Sequence, residues 1–356
     1  MLMAPESLKK TPTIQDVARE AGVSSATVSR ALSTPERVSE VTRARISHAV
    51  DATGYIINQA ARSLRMHEAR TILIAMPNIG NPFYSTILDA VVNEATSRGY
   101  GVLVANRLGN DPTQWLRHYF SSNRADGMVL FDDSLNLDGL HDLPRQGGML
   151  PLVVSCDELL DADFHVVMTD NRQGAARATR HLIALGHTRI GHLRGRLVHN
   201  FPNERWLGFS DAMREAGLAI RPEWVFPGDH SMLAGEAAGE AFAALSHRPS
   251  AVFCANDEMM IGFLARIRDH GLDCPRDVSL VGFDDISITE NYWPPLTTVR
   301  QPRRDLGRVA TATLLDILEG TARPSDSLRI VLPSELIIRR STASPLSPPD
   351  NRFGLR

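Results

Sequence analysis

The feature that most restricts the fold of this chain is a change of pattern near residue 70. Residues 13–57 contain only short amphipathic helical repeats separated by turns, whereas from Arg70 onward strand-like apolar runs alternate with helical runs. Alternation of this kind gives parallel sheets flanked by helices. The 356 residues are enough for two or three domains. We therefore predict an all-α head followed by an α/β body with two lobes.

Composition and cysteine usage exclude several classes of protein. Hydrophobic residues make up 43% and charged residues 22% of the chain, which is ordinary globular usage. No apolar run approaches the ~18 residues of a membrane span, and residues 1–10 lack the apolar core of a secretion signal. Cys156, Cys254 and Cys274 form neither a CxxC pair nor a disulfide framework, which is typical of a reducing compartment. We expect a soluble cytoplasmic protein without a membrane partner.

The first two helices of the head are predicted from their ends. Thr13 begins a T-I-Q-D segment that resembles a capping box, and Gly22 is suited to end the helix in the left-handed conformation. Ser24 is the expected N-cap of a second short helix over Ala26–Leu32. Two helices joined by a tight turn that contains glycine are typical of a DNA-binding helix-turn-helix.

A third helix should support the first two. It is expected to start at Ser39 or Thr42 and to end at Gly54, with Val41 and Ile46 among its inward side chains. The alternative for this region is a small three-helix bundle without a DNA-binding role. The predicted outer face of the second helix favours DNA, because it carries Ser25, Thr27, Ser29 and Arg30. Arginine can read guanine by two hydrogen bonds, and small hydroxyls fit a major groove without crowding it.

Charge along the chain agrees with this interpretation but is weak support for it. Residues 1–70 carry a net charge of +3 and residues 71–356 a net charge of −6. A basic head on an acidic body points to a polyanion as the partner of the head.

The head closely resembles the headpiece of the lactose-repressor (LacI) family of bacterial transcription regulators. The motifs that carry the resemblance are A-G-V-S-x-x-T-V-S-R and the later G-Y-x-x-N-x-x-A-R-S-L, and the likeness continues through residue 340. It implies double-stranded operator DNA as a partner. It places Ser25, Ala26 and Arg30 at base-reading positions and Thr27 and Ser29 at backbone-contacting or supporting positions. We add Ser24 to the predicted DNA-binding residues.

The segment from Asn58 to Arg65 is too short to be a stable helix by itself. Composition alone favours a plain linker, whereas the resemblance implies a hinge helix that orders on DNA. In that case Asn58, Ala61 and Leu64 belong to the DNA-binding set, with Leu64 as an apolar wedge in the minor groove. Two such helices are needed side by side, which implies a homodimer and a pseudo-palindromic operator.

The body should bind a small molecule between its two lobes. Ligands of such folds lie beyond the carboxyl ends of the strands, and facing lobes close by hinge motion. The resemblance implies the same periplasmic-binding-protein-like effector domain. Its candidate effector contacts are Phe83, Tyr84, Arg205, His230, Asn256 and Asp284.

Each of these residues has an expected role and an alternative. Phe83 and Tyr84 either contact the effector or pack the start of their helix. Arg205 is expected to fork onto ligand hydroxyls or a carboxylate, rather than to form a surface ion pair. Asp284 is expected to accept hydrogen bonds from hydroxyls. Asn256 is a polar position of the cleft, whereas the neighbouring Asp257 is expected to cap the following helix.

Two residues depart from the family pattern and leave the effector open. His230 stands where relatives often carry a stacking aromatic residue, and Cys156 replaces a common Asp or Asn. The run R-T-I-L-I-A-M-P-N-I-G-N-P-F-Y-S and the ending S-E-L-I-I-R-R-S-T most resemble the cytidine-repressor branch. A nucleoside is therefore the first expected effector, and a sugar or sugar acid the second.

Two rival functions share the α/β fold: a sugar-acting enzyme and a solute-binding protein. The sequence contains no dinucleotide fingerprint, G-x-S-x-G elbow, phosphate loop or H-E-x-x-H motif. His181, His187 and His192 are not spaced as metal ligands and are expected to be ordinary loop and helix residues. We predict neither an enzyme nor a cofactor or metal site. The predicted domains are a flexible N-terminus (1–12), the helix-turn-helix (13–57), the hinge helix and linker (58–69), the effector-binding and dimerisation body (70–340) and a disordered tail (341–356).

Overall fold

The computed structural model describes residues 12–55, 68–106, 112–131, 144–145, 148–155, 164–195, 203–322 and 328–345. The chain divides into two compact units, residues 1–68 and residues 69–356. We call the first the head and the second the body, and describe each by itself.

The head consists of the helices α1 Ile14–Ala21, α2 Ser25–Ser33 and α3 Glu40–Thr53. Asp16 accepts hydrogen bonds from the backbone nitrogen of Thr13 at 2.9 Å and from its hydroxyl at 2.7 Å. The Ser24 hydroxyl accepts from the Thr27 nitrogen at 3.1 Å, which confirms the predicted N-cap. Gly22 ends α1 with a φ of 62°, the left-handed conformation that glycine adopts at little cost.

A small apolar core joins the three helices of the head. Val17, Val28 and Ile46 are the buried centre, one from each helix. Arg45 of α3 donates to the Ala21 carbonyl at 2.5 Å and so caps the end of α1. The prediction that Val41 points inward is wrong, because its side chain is 73% exposed. It lies in the first turn of α3, before the stripe that begins at Ile46.

The body contains two six-stranded sheets. Its strands are β1 Thr71–Met76, β2 Gly101–Asn106, β3 Gly127–Leu130, β4 Pro144–Arg145, β5 Gly148–Met149, β6 Leu152–Ser155, β7 His165–Thr169, β8 Ile190–Leu193, β9 Val225–Phe226, β10 Ala251–Cys254, β11 Ser279–Asp284, β12 Thr297–Arg300, β13 Arg329–Leu332 and β14 Glu335–Ile337. Its helices are α4 Pro82–Ser97, α5 Pro112–Ser121, α6 Asn171–Ala184, α7 Glu204–Glu215, α8 Met232–Ala244, α9 Asp257–Asp269, α10 Ile288–Asn291 and α11 Arg303–Leu318.

The strand order separates the body into two lobes. The first sheet has the order β13-β7-β6-β3-β1-β2 and is parallel throughout. The second has the order β14-β12-β11-β10-β8-β9 and is parallel except for β14. This arrangement confirms the predicted two-lobed α/β class.

The lobes are not continuous in sequence. The helix α11 packs on α4 and on the first sheet although it follows β12 of the second sheet. The chain therefore passes between the lobes three times: at Asp170, at 301–302 and at 333–334. Two of these passages are tied together, because Asp170 accepts from the Ser334 nitrogen at 2.7 Å and from Arg177 at 3.0 Å. Arg177 also donates to the Ser334 carbonyl at 2.8 Å.

The boundary of the predicted disordered tail is wrong by at least five residues, since residues 341–345 are described. Ser341 is fully buried, and its hydroxyl donates to the Leu280 carbonyl at 2.7 Å and accepts from the Thr297 nitrogen at 2.8 Å. The Ala343 nitrogen donates to the Ser279 hydroxyl at 3.0 Å. The serine-rich composition suggested disorder, but these hydroxyls bridge strands of the second sheet.

Candidate DNA-contacting helix and effector site

The helix α2 presents a polar face whose residues differ in exposure. Ala26 and Arg30 are exposed, whereas Ser25, Thr27 and Ser29 are half-buried. Val28 and Ala31 hold the opposite face in the core of the head. The Ser24 and Thr27 hydroxyls lie 2.8 Å apart and share a hydrogen bond, so both belong to the cap of the helix. Arg30 is therefore the long donor that this helix offers to a partner.

The predicted hinge residues Asn58, Ala61 and Leu64 lie outside the described residues, as does Cys156. The hinge-helix hypothesis stays a prediction.

Arg205 organises the polar cluster at the carboxyl ends of the second sheet's strands. It lies in the first turn of α7, and its Nε donates to the Asn171 amide oxygen at 2.9 Å. Its Nη1 donates to the Ala255 carbonyl at 2.5 Å, and its guanidinium lies 3.8 Å from the centre of the Phe283 ring. The side chain is only 13% exposed, which excludes the alternative of a surface ion pair.

Asp284 is the acidic partner of Arg205. It is the last residue of β11, is 5% exposed, and has an oxygen 3.5 Å from Arg205 Nη1. The same oxygen accepts from the Gln301 amide at 2.7 Å. Burial raises the pKa of Asp284, while the charge of Arg205 opposes this rise. A φ of 115° at Asp284 is rare for a residue with a side chain, and such strain concentrates at functional sites.

Asn256 caps the helix α9, the role that we predicted for Asp257. The Asn256 oxygen accepts from the Met259 nitrogen at 3.1 Å and so caps α9, while its amide donates to the His230 carbonyl at 3.0 Å. Asp257 is fully buried and accepts from the Thr298 hydroxyl at 2.6 Å and the Ile286 nitrogen at 3.0 Å. The prediction that Asp257 caps the helix is therefore wrong, because its carboxylate turns towards β12 and the segment after β11.

His230 joins this cluster through a close packing contact. A Cβ atom placed on Gly195 would come within 2.1 Å of His230 Nε2, so the ring lies directly against the glycine backbone. His230 has a φ of 70°, which lies in the left-handed region that residues other than glycine seldom adopt. The structure thus brings Arg205, His230, Asn256 and Asp284 to one edge of one sheet.

The two aromatic candidates lie in the first lobe. Phe83 and Tyr84 begin α4, with ring centres 5.0 Å apart, and Tyr84 lies 6.4 Å from Phe131. Phe83 is only 6% exposed and belongs to the apolar core, whereas Tyr84 is half-buried. Burial favours the packing role for Phe83 and leaves Tyr84 as the aromatic side chain with an accessible surface.

Sequence reasoning missed four residues of the second-lobe cluster: Asn171, Arg194, Phe283 and Gln301. Arg194 could have been found, because it directly follows the strand that ends at Leu193. Asn171 and Gln301 lie at passages between the lobes, and the sequence gives no sign that these passages meet the cluster.

No metal-binding constellation is found in the described parts of the chain. These parts contain no group of three or more His, Cys, Asp or Glu side chains placed to hold a metal ion, and no helix long and apolar enough to cross a membrane. Asp285 is neutralised by Arg300 at 2.7 Å and Arg339 at 2.8 Å. The prediction that His192 is a loop or helix residue is wrong, because it lies in β8 with its ring stacked on Phe253, centres 4.9 Å apart.

Known protein families match both the head and the body of this chain. Residues 13–58 match the family described as "Bacterial regulatory proteins, lacI family", and residues 179–342 match "Periplasmic binding protein-like domain". The HTH-type transcriptional repressor CytR of Escherichia coli strain K12 is 35% identical over 341 residues, which covers 96% of this chain and 99% of the relative. The repressor PurR of Vibrio vulnificus is 32% identical, covering 92% of this chain and 97% of the relative.

Solved structures give the same result. The lac repressor dimer bound to operator and the anti-inducer ONPF has a TM-score of 0.81 at 27% identity, covering 94% of this chain and all of that chain. The transcriptional regulator CelR in complex with cellobiose has a TM-score of 0.69 at 29% identity, covering 93% and 99%. The matches span the head and the body, and these relatives are regulators rather than enzymes. The chain belongs to the LacI family of bacterial transcription regulators.

Proposed function

We propose that this protein is a homodimeric repressor whose affinity for a pseudo-palindromic operator is set by a small hydroxylated ligand bound at the second-lobe cluster. The observation that carries the proposal is the buried Arg205–Asp284 pair at the carboxyl ends of the strands. Ligands of α/β folds bind at that edge. A buried ion pair is weak evidence for stability, so its retention at a binding edge favours a functional role.

The cluster supplies the groups that sugar hydroxyls need. Asp284 accepts hydrogen bonds, and Arg205 presents a planar fork of donors already fixed by Asn171 and Ala255. Asn256 is the weakest candidate contact, because the cap and the His230 carbonyl already occupy its oxygen and one of its amide hydrogens. We propose Tyr84 as the aromatic contact from the first lobe.

A nucleoside is the first candidate class of ligand and a sugar or sugar acid the second. The similarity to CytR over nearly the full chain supports the nucleoside, and the cellobiose complex of CelR supports a sugar. Both classes carry the vicinal hydroxyls that Asp284 and Arg205 would bind.

DNA binding is assigned to the face of α2. We propose that Arg30 reads a base pair and that Ser25 and Ala26 lie against base edges, while Thr27 and Ser29 contact or support the backbone. Asn58, Ala61 and Leu64 would form the minor-groove element between two half-sites.

Ligand control requires that the two lobes change their closure when the site fills. The passage at residues 301–302 lies beside the site, because Gln301 donates to Asp284. The passages at Asp170 and Ser334 are tied by Arg177. A ligand that contacts Asp284 therefore acts directly on one of the three connections between the lobes, and we propose that it releases the operator.

The test begins with an operator fragment selected from random duplexes by the purified full-length protein. Nucleosides, pentoses, hexoses and sugar acids are then added to the complex. We expect at least one compound to change operator affinity by about 5- to 150-fold, the usual range of allosteric coupling. A protein that binds operator but responds to none of these classes would contradict the proposed ligand classes, and failure to select any DNA would contradict the function.

A further inference from the structure

The strongest unassigned feature of the second lobe is Arg194. It directly follows β8, and its backbone nitrogen donates to the Phe226 carbonyl at 2.9 Å. The preceding residue, Leu193, accepts from the Ala255 nitrogen at 2.8 Å. Ala255 is the residue whose carbonyl holds Arg205. Arg194 therefore lies at the same sheet edge as the proposed site, one strand away from the contact of Arg205.

The neighbours of Arg194 are also members of the cluster. Gly195, the next residue, packs against the His230 ring. The Arg194 guanidinium lies 4.7 Å from the centre of the Trp206 ring, and Trp206 follows Arg205 on α7. Arg194 is thus enclosed by residues that themselves adjoin the proposed effector contacts.

Arg194 differs from Arg205, Arg300 and Arg339 in its partners. Arg205 faces Asp284, and Arg300 and Arg339 face Asp285. Arg194 forms no ion pair among the described residues, and its Nε is buried without a hydrogen-bond partner. An aromatic face compensates a guanidinium only in part, because it offers no acceptor for the N–H groups.

Charge at this edge is divided between its two sides. The acids Asp284 and Asp285 lie at β11, whereas Arg194 lies at β8, beyond the intervening strand β10. Neighbouring strands are ~4.8 Å apart, so β8 and β11, with β10 between them, are about 9.6 Å apart, which is enough for a sugar ring that carries a further group. One side accepts from hydroxyls, and the other holds a cation with free donor capacity.

We infer that Arg194 binds an anionic group of the effector, a carboxylate or a phosphate. Asp284 and Arg205 bind the hydroxyls of the same effector molecule. This inference rests on the proposed function and narrows its two ligand classes: within the nucleoside class it selects a phosphorylated nucleotide, and within the sugar class a sugar phosphate or a sugar acid.

The test uses pairs of compounds that differ only in the anionic group. Thermal shift and calorimetry on the full-length protein compare cytidine with cytidine 5′-monophosphate, ribose with ribose 5-phosphate, and glucose with glucuronate, with inorganic phosphate against chloride at equal ionic strength as the simplest probe. We expect phosphate to stabilise the wild type, and the anionic member of at least one pair to bind about 10- to 100-fold tighter than its neutral partner.

Three variants separate charge from packing. Arg194→Gln should abolish the preference for the anion and the response to phosphate, and Arg194→Lys should keep most of both. The matched control is Arg221→Gln. The Arg221 guanidinium also stacks on a tryptophan, 4.9 Å from the Trp224 ring centre, but Arg221 precedes β9 and therefore lies at the amino end of the parallel strands. This control should leave the preference unchanged.

The inference is overturned if the neutral compound of every pair binds at least as well as its anionic partner. It is also overturned if Arg194→Gln keeps the full anion preference, or if Arg194→Gln and Arg194→Lys lose that preference equally. Absence of any phosphate difference between wild type and Arg194→Gln also overturns it. None of these results contradicts the proposed function, which fails if the protein selects no operator DNA or if ligands do not change operator binding through Arg205 and Asp284.

Discussion

The head and the second lobe both present an arginine to a proposed partner, but they hold it in opposite ways. Arg30 is an exposed side chain on α2. This helix begins at a local cap, in which the Ser24 hydroxyl accepts from the Thr27 nitrogen. Arg205 is 13% exposed and is fixed by Asn171, Ala255 and Asp284, which are 34, 50 and 79 positions away in the sequence. The proposed DNA-binding surface is therefore local and open, whereas the proposed ligand-binding surface is assembled from distant segments and buried.

The largest expected effect of this difference concerns stability. Arg205→Leu should lower the free energy of unfolding of the body by about 3–5 kcal/mol, because Asp284 would be left as an uncompensated buried charge. Urea denaturation of the full-length protein measures it. Arg180→Leu removes an exposed ion pair with Glu215, at 48% and 54% exposure, and should cost less than about 1 kcal/mol. Equal losses in the two variants would show that the buried Arg205–Asp284 pair affects stability no more than an exposed ion pair does.

Arg30→Ala should behave in the opposite manner. We expect unfolding to change by no more than about 0.5 kcal/mol, since the side chain is exposed, while discrimination at one operator base pair falls by about 1–3 kcal/mol. Binding to operator variants substituted at each position measures this discrimination. A uniform loss at every position would instead make Arg30 a phosphate contact.

A third expected effect comes from the buried ring of His192; among the described residues of the head, by contrast, the histidine is the exposed His48. Burial lowers the pKa of this histidine to about 3, against the hydrogen bond of its Nδ1 to the Phe253 carbonyl. The unfolded chain takes up the proton near pH 6.5. Lowering the pH from 6.5 towards 3 therefore favours unfolding, by about 1.4 kcal/mol per pH unit for this group.

His192→Phe keeps a ring in the aromatic stack but cannot be protonated. Its free energy of unfolding should fall less steeply with decreasing pH than that of the wild type, with the curves separating below pH 6.5. Burial also lowers the pKa values of His181 and His187, but both proteins contain them, so their contributions cancel. Parallel curves down to pH 5 would show that His192 is not held neutral.

The smallest expected effect tests the local definition of the head. Ser24→Ala removes the acceptor for the Thr27 nitrogen and should destabilise the head by about 1 kcal/mol. Ser24→Gly should cost only a few tenths of that. The unfolding transition of the head, followed by circular dichroism, would record both changes. Equal stabilities of Ser24→Ala and Ser24→Gly would show that the cap contributes little.

The same contrast explains which features could be predicted from sequence. The ends of α1 and α2 followed from Asp16, Gly22 and Ser24, because caps act within four residues along the chain. The alternation of strand-like and helical runs predicted the two-lobed α/β class, because the spacing of apolar residues along the chain indicates which faces are buried. Arg205 and Asp284 were identified through family motifs that mark their positions.

Roles that depend on distant contacts were not predictable. Asn256 and Asp257 are adjacent polar residues at the start of one helix, and only the positions of Thr298 and Ile286 decide which of them caps it. The order of Ser341 depends on acceptors and donors in β11 and β12, which a composition rich in serine and proline does not reveal. The place of Arg194 directly after β8 is visible in the sequence, but its contact with Trp206 of α7 is not.

The central claim is that the buried cluster of the second lobe controls DNA binding by the head, and operator affinity of Asp284→Asn tests it most directly. The dissociation constant for a selected operator is measured with and without a saturating compound that shifts the wild-type melting temperature. We predict equal affinities of wild type and variant without the compound, and a change of about 5- to 150-fold on its addition in the wild type alone. A variant that still responds, or one that no longer binds operator at all, would contradict this account.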